Sequence, residues 1–349
     1  MPPGALDELL AGLGVELPVL AAPMAGGPGS AALVTAAARA GSLGFLAGGY
    51  KQPEVLAAEL AEMRAAGVPF AVNLFAPNPL PVDRDEFRRY ADSLRGEADR
   101  FGLTLDGEHP QEDDDWWSEK LGLLLAEPPP LVSFTFGIPP RKDLEALRAA
   151  GSLLVQTVTS PAEALAAAEA GVDALAVQSI DAGGHWGTLT PREPSVPLSL
   201  PELIGAIAAE GSLPVIAAGG IATPGEVSAA LLAGARAVMV GTALLLADEA
   251  ATVAAHRRAL RDPARTETVV TRAFTGRPAR GLRNGFIERH SSQAPLGYPA
   301  IHHLTSPLRR AAAAAGDPEL LHLWAGTGFR QLSERPAGEI LRELSGRRA

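Results

Sequence analysis

His185 lies in the run Asp181-Ala182-Gly183-Gly184-His185-Trp186-Gly187. It is the only histidine among the residues that follow the predicted strands. Its glycine neighbours offer little to pack against, which argues against a core-filling role. A neutral imidazole there can donate a hydrogen bond to a bound cofactor or act as a general base; the plain alternative is a surface histidine. Two further signatures are Gly219-Gly220-Ile221 and Gly241-Thr242. Glycine pairs let the backbone approach a ligand closely, and N–H groups with a threonine hydroxyl suit a phosphate. Each alone could be a tight turn, but two at neighbouring strand ends favour phosphate binding. Asn73, Gln156 and Gln178 add carboxamides to the same set.

Other chemistries find little support. The chain has no cysteine, which removes disulfides, thiolate catalysis and cysteine metal sites. There is no partner set for a hydrolytic triad and no HExxH run, and His302-His303 is weak as a metal pair, with one of the two better placed facing the cleft. Asp113-Asp114-Asp115-Trp116-Trp117 reads as a solvated turn capping a helix that starts near Trp116, in preference to a metal site. No metal is expected.

These residues need elements to position them. Short apolar runs alternate with Ala/Leu/Glu-rich runs of helical period, and eight strands are predicted near Val19–Ala22, Leu43–Leu46, Phe70–Leu74, Leu131–Thr135, Leu153–Thr157, Ala174–Gln178, Pro214–Ala217 and Ala237–Val240. Each is nearly continuous in hydrophobicity, as a parallel strand buried on both faces is. Thr159-Ser160-Pro161 and Thr223-Pro224 read as helix starts, and Gly171 as a helix stop. Eight βα units predict an α/β (β/α)₈ TIM barrel, whose active site lies in the loops after the strands; a doubly wound open sheet is the runner-up. Gly26-Gly27-Pro28-Gly29 lacks the dinucleotide spacing and reads as a tight turn. The barrel is assigned to 1–245 with an insertion at about 77–130. Residues 246–304 are assigned to a smaller, mainly helical lobe over the barrel mouth, and 305–349 to C-terminal helices packing back on the barrel.

Bulk properties agree with a folded enzyme. The chain has 349 residues, 47% apolar and 20% charged, with 30 prolines and 37 glycines marking many loops. A net charge of −10 without a basic patch argues against nucleic acid. The tail with Arg342, Arg347 and Arg348 reads as a frayed, solvated end. The start Met1-Pro2-Pro3-Gly4 lacks a basic segment before an apolar run, and no stretch is convincing as a membrane span. A cytoplasmic location is expected. The sequence is silent on oligomeric state, and a homo-oligomer stays open.

Ala22-Pro23-Met24-Ala25-Gly26, Asn73, Val132-Ser133-Phe134-Thr135-Phe136-Gly137, the segment around His185, Ala217-Ala218-Gly219-Gly220-Ile221 and Val240-Gly241-Thr242 together resemble class I nitronate monooxygenase, formerly called 2-nitropropane dioxygenase. The similarity extends through Thr271–Gly281 and Tyr298-Pro299. It implies noncovalent FMN and oxidation of alkyl nitronates by molecular oxygen to a carbonyl compound and nitrite. By this resemblance Pro23, Met24, Asn73, Gln178 and Gly183 border the isoalloxazine and ribityl parts. Gly219, Gly220, Val240, Gly241 and Thr242 hold the phosphate, His185 faces the reacting centre, and Tyr298 and His303 border the substrate. The match is least secure around His302 and His303.

Three other readings remain. AGGH and AAGGI are shared with FMN-dependent enoyl-acyl carrier protein reductases, which need a nicotinamide donor and a basic docking face that is not visible. A phosphate-binding barrel without flavin would purify colourless. A catalytically silent flavoprotein would bind FMN and turn over no nitronate.

Overall fold

The computed structural model describes residues 4–347 apart from positions 194 and 212. Met1–Pro3 and Arg348 of the sequence readings lie outside the described residues. The strands are β1 (Val19–Ala21), β2 (Phe45–Ala47), β3 (Ala71–Ala76), β4 (Leu131–Phe136), β5 (Leu153–Val158), β6 (Ala174–Gln178), β7 (Gly184–His185), β8 (Val215–Ala218), β9 (Ala237–Val240), β10 (Thr268–Thr271) and β11 (Ala279–Leu282). Eight of them form a parallel sheet in the order β1-β9-β8-β6-β5-β4-β3-β2. A parallel bridge between Ala21 and Gly44 joins the two ends and closes the ring. Helices separate the strands, so the fold is the (β/α)₈ TIM barrel that the alternation predicts.

Period-two alternation decides which side chains reach the site. In β3 Val72, Leu74 and Ala76 pack outward against helices, whereas Ala71 joins the barrel interior. Asn73 and Phe75 therefore share the inward face. The same rule points Thr157, Gln178 and Ala218 inward and Gln156 and Val240 outward. The interior floor is apolar, with Leu20, Phe45, Leu131, Val155 and Met239, and the helix Ala5–Gly12 plugs it with Leu6 and Leu10. Burying a leucine such as Leu6 contributes roughly 1.5–3 kcal/mol.

Helix boundaries follow local chemistry. Ser160 accepts the Glu163 N–H with Pro161 at the first turn, and Thr223 forms a capping box with Glu226 before Pro224. Gly171 ends its helix at φ +91°, a conformation costly for other residues.

Beyond β9 the chain forms the helices Ala254–Arg261, Gly285–His290 and Ala300–Ala315, with β10 and β11 between them. Helix Ala300–Ala315 runs unbroken across position 304. The insertion packs on this part of the chain: Phe87, Tyr90 and Leu94 share a cluster with Phe274, Phe286 and Ile301. The Tyr90 hydroxyl donates to the Ala273 carbonyl at 2.6 Å. The final helix Ala337–Leu344 contacts β1 and the helix Ala31–Arg39. Among the described residues, no helix is long and apolar enough to cross a membrane.

Candidate active site

A cavity of about 780 Å³ opens at the carboxyl ends of the barrel strands. Pro23, Met24, Asn73, Gln178, Gly183, His185, Gly219, Gly220, Val240, Gly241, Thr242, Tyr298 and His303 all line it. The fold thus brings together these thirteen residues singled out in the sequence, across more than two hundred positions. How each reaches the cavity differs.

On one side, Gly219 and Gly220 take φ of +101° and +74°. A β-carbon at Gly219 would stand 2.7 Å from Ser179 Oγ, so glycine is required twice over, by conformation and by contact. Among the described residues no acceptor takes the N–H groups of Gly219, Gly220, Gly241 or Thr242. Thr242 Oγ1 accepts from Gly326 N–H at 2.9 Å, and its own proton stays available. Unpaired donors at two adjacent strand ends form a cradle with the chemistry a phosphate requires. The Val240 side chain belongs to the outer barrel layer, so its contribution to this cradle is its backbone.

On the cavity floor, the Asn73 amide donates to Ser133 Oγ at 2.9 Å and Thr135 Oγ1 at 3.1 Å, which leaves its carbonyl oxygen for a ligand N–H. Gln178 is otherwise engaged. Its Oε1 accepts from Gly187 N–H at 2.7 Å and its Nε2 donates to the His185 carbonyl at 3.2 Å. It therefore fixes the His185 segment while it borders the cavity. At Gly183 a β-carbon would come within 2.5 Å of the Gly326 nitrogen. Its small size lets the returning segment around Gly326 close against the loop.

His185 departs from the expected loop. Gly184 and His185 form β7, antiparallel to β11 with His185 opposite Ala279. The glycine neighbours of His185 offer it little, but distant segments enclose it. The ring meets Phe136 edge-on at 5.5 Å, Trp324 at 5.6 Å, Tyr298 at 6.1 Å and Tyr50 at 6.4 Å. Its Nε2 lies 2.9 Å from Thr275 Oγ1, and that hydroxyl is in reach of the Arg277 carbonyl at 3.3 Å. With the hydroxyl proton on that carbonyl, Nε2 carries the imidazole proton and Nδ1 is the basic nitrogen. Burial, reinforced by the charges of Arg277 and Arg309, pushes the imidazole down to about 3. The ring is neutral at physiological pH.

Two other expectations change. Gln156, inferred from its place in the fifth strand, faces outward and does not line the cavity. In the Asp113–Asp115 run Asp113 and Asp114 are exposed, as a solvated turn requires, but the run does not cap the helix that starts at Trp117. Trp116 occupies the N-cap position at φ +53°, and no side chain caps that helix. Asp115 is partly buried, accepts the Tyr50 N–H at 3.0 Å and pairs with buried Lys120 at 2.7 Å. Burial raises its carboxyl to about 6. Asp113 meets His303 Nε2 at 2.8 Å, so His303 is committed to a clasp at the cavity rim. His302 is the enclosed one of the two, stacked on Tyr50 at 4.2 Å with an interplanar angle of 1°.

The cavity also contains residues to which the sequence reading gave no role, Tyr50, Thr275, Arg309, His322, Trp324 and Gly326, together with Phe136 of the quoted motif and His302, from the histidine pair of which one is expected to face the cleft. Tyr50 follows directly on Gly48-Gly49 at the end of β2, and the strand-end rule would have found it. Trp324-Ala325-Gly326-Thr327-Gly328 carries a glycine signal that lies outside the barrel strands.

A profile of the nitronate monooxygenase family matches residues 8–346. The chain is 38% identical to a nitronate monooxygenase of Pseudomonas aeruginosa over 340 residues, 95% of this chain and 96% of the relative. The crystal structure of nitroalkane oxidase from Streptomyces ansochromogenes superposes with a TM-score of 0.91 at 43% identity, covering 98% of this chain and 97% of that one. The structure of FabK from Thermotoga maritima shares the fold at 24% identity and a TM-score of 0.74, covering 97% and 94%. Family match, relative and neighbour coincide over the barrel, the cavity and the segments that close it: the chain belongs to the nitronate monooxygenase family.

Proposed function

We propose that this protein holds FMN in the cavity and oxidises alkyl nitronates with molecular oxygen, giving a carbonyl compound and nitrite. The observation that carries this reading is a neutral imidazole, His185, caged by aromatic rings beside a cradle of unpaired N–H donors. Bound FMN supplies the electron acceptor for the substrate and the donor for oxygen. In this reading residues 1–245 are the cofactor-binding barrel, and 246–304 form the lobe over its mouth.

The residues divide the work. Gly219, Gly220, Gly241 and Thr242 bind the phosphate through N–H groups and a hydroxyl. Asn73, whose carbonyl oxygen is left free, would help hold the isoalloxazine, and Pro23, Met24 and Gly183 would border it. Gln178 orients His185 through the backbone. Tyr298, Phe136 and Trp324 exclude water from the reacting region. Thr275 holds His185 Nε2, so Nδ1 is the atom that removes a carbon-bound proton when the substrate arrives as a neutral nitroalkane. A nitronate needs no such step.

The test is a visible spectrum of the purified protein followed by anaerobic mixing. A flavin spectrum that bleaches with an alkyl nitronate and not with NADH or NADPH, and oxygen uptake with nitrite release in air, is the expected result. A colourless protein, or rapid bleaching by a nicotinamide with no response to nitronate, overturns the reading; the second outcome points to an enoyl reductase.

A further inference from the structure

Arg309 is buried in the wall of the cavity, on helix Ala300–Ala315. Its Nε donates to Thr305 Oγ1 at 3.2 Å, and its Nη2 to the His302 carbonyl at 2.9 Å and His302 Nδ1 at 3.2 Å. Among the described residues nothing accepts from Nη1, and no carboxylate pairs with the guanidinium. The two acids in the cavity wall are already engaged, Asp115 by Lys120 and Asp113 by His303. Arg310, one position on, is exposed and donates to Ser306.

A buried cation without a counterion is costly unless an anion completes it. A second one lies deeper. Arg277 is fully buried, 4.2 Å over the Phe136 ring, and its Nε and Nη1 have no partner. The histidines between them add no charge, because burial holds His185 and His302 in the neutral form. Two buried positive charges thus flank an aromatic chamber whose enclosed histidines are neutral and whose two carboxylates are already paired. Arg309 alone of the pair reaches the cavity surface.

We propose that Arg309 binds the negative charge of the substrate and makes this site select an anion over its neutral conjugate acid, with Arg277 reinforcing the field from behind Phe136. The assignment rests on the nitronate reading above. It also predicts that nitrate, a planar anion with its charge spread over oxygens as in a nitronate, occupies the same place. His302 acts as a positioning residue for Arg309, since it takes the Nη2 protons and is itself held by stacking on Tyr50.

The experiment uses the FMN-loaded protein, wild type, Arg309→Gln and Arg309→Lys. Nitrate binding is read by titration calorimetry, and nitronate oxidation by oxygen uptake. A charge-assisted hydrogen bond is worth about 10- to 100-fold in affinity. Arg309→Gln is expected to raise the nitrate Kd and the nitronate KM by about that factor, with kcat changed less. Arg309→Lys, which keeps the charge, should hold both within about 10-fold of wild type. In the wild type, nitrate should compete with the nitronate; absence of competition overturns the proposal without recourse to any variant. A flavin-replete Arg309→Gln with unchanged KM and nitrate affinity overturns it too. So does a variant that loses flavin while its residual holoenzyme binds nitrate normally, because the arginine would then serve the cofactor. Nitrate binding through Arg309 in a protein that oxidises no nitronate would leave the anion site standing and remove the nitronate reading alone.

Discussion

Replacing His185 by asparagine separates proton transfer from positioning. The imidazole is enclosed by four aromatic rings and held at Nε2 by Thr275, and burial keeps it neutral with a pKa of about 3 instead of 6.5. That depression corresponds to roughly 5 kcal/mol of penalty on the charged form at 1.36 kcal/mol per unit. A base so disfavoured as a cation gives the lower end of the usual general-base effect, about 10²-fold within the 10²–10⁴ range. Turnover of neutral nitroethane should therefore fall about 10²-fold in His185→Asn. Ethyl nitronate, already deprotonated at carbon, should lose less than about 10-fold. The assay is oxygen uptake with both substrates at matched flavin content. In the wild type, kcat/KM for the nitronate should show no ionisation near pH 6.5 from this group, since the neutral form prevails from above pH 3 upward. Equal losses on both substrates would refute the proton-transfer role. A limb near pH 6.5 that disappears in the variant would refute the burial argument behind it.

Gly220→Val should release the flavin, because its φ of +74° is strained for a β-branched residue and the new β-carbon would sit 3.0 Å from Asp181 Cβ; the absorbance ratio after gel filtration reports this. Asp115→Asn strands the buried Lys120 ammonium and should cost about 3–5 kcal/mol, whereas Asp115→Asn with Lys120→Met should recover most of it; thermal melts of the set decide. Acid should destabilise the fold early. His185 and His256 stay neutral in the folded state with pKa values held down by burial, to about 3 and about 4, and protonate near 6.5 once unfolded. Their stabilisation is complete above pH 6.5 and is lost as pH falls toward 4, up to about 1.4 kcal/mol per pH unit for each. A Tm unchanged from pH 7.5 to 5 would contradict it.

The strands and their order of use were legible in the sequence because each is a local event: an apolar run, a glycine stop, a capped helix start. Barrel closure then follows from eight repeats of one unit, and the strand-end rule placed Asn73, Gly219 and Thr242 in one cavity without any knowledge of contacts. Side-chain direction was equally available, since period two alone would have turned Gln156 outward. What the sequence does not determine is pairing between distant segments. β7 exists only because β11, more than ninety positions later, lies beside it, and that pairing converts a glycine-rich loop into the strand that carries His185. Asp115 reads as a solvated acid until Lys120 and the Tyr50 N–H enclose it. Arg309 reads as one arginine in a polar helix until the fold buries it without a carboxylate. Desolvation and counterion supply depend on which surfaces meet, so the charge state of this site was decided by the tertiary structure.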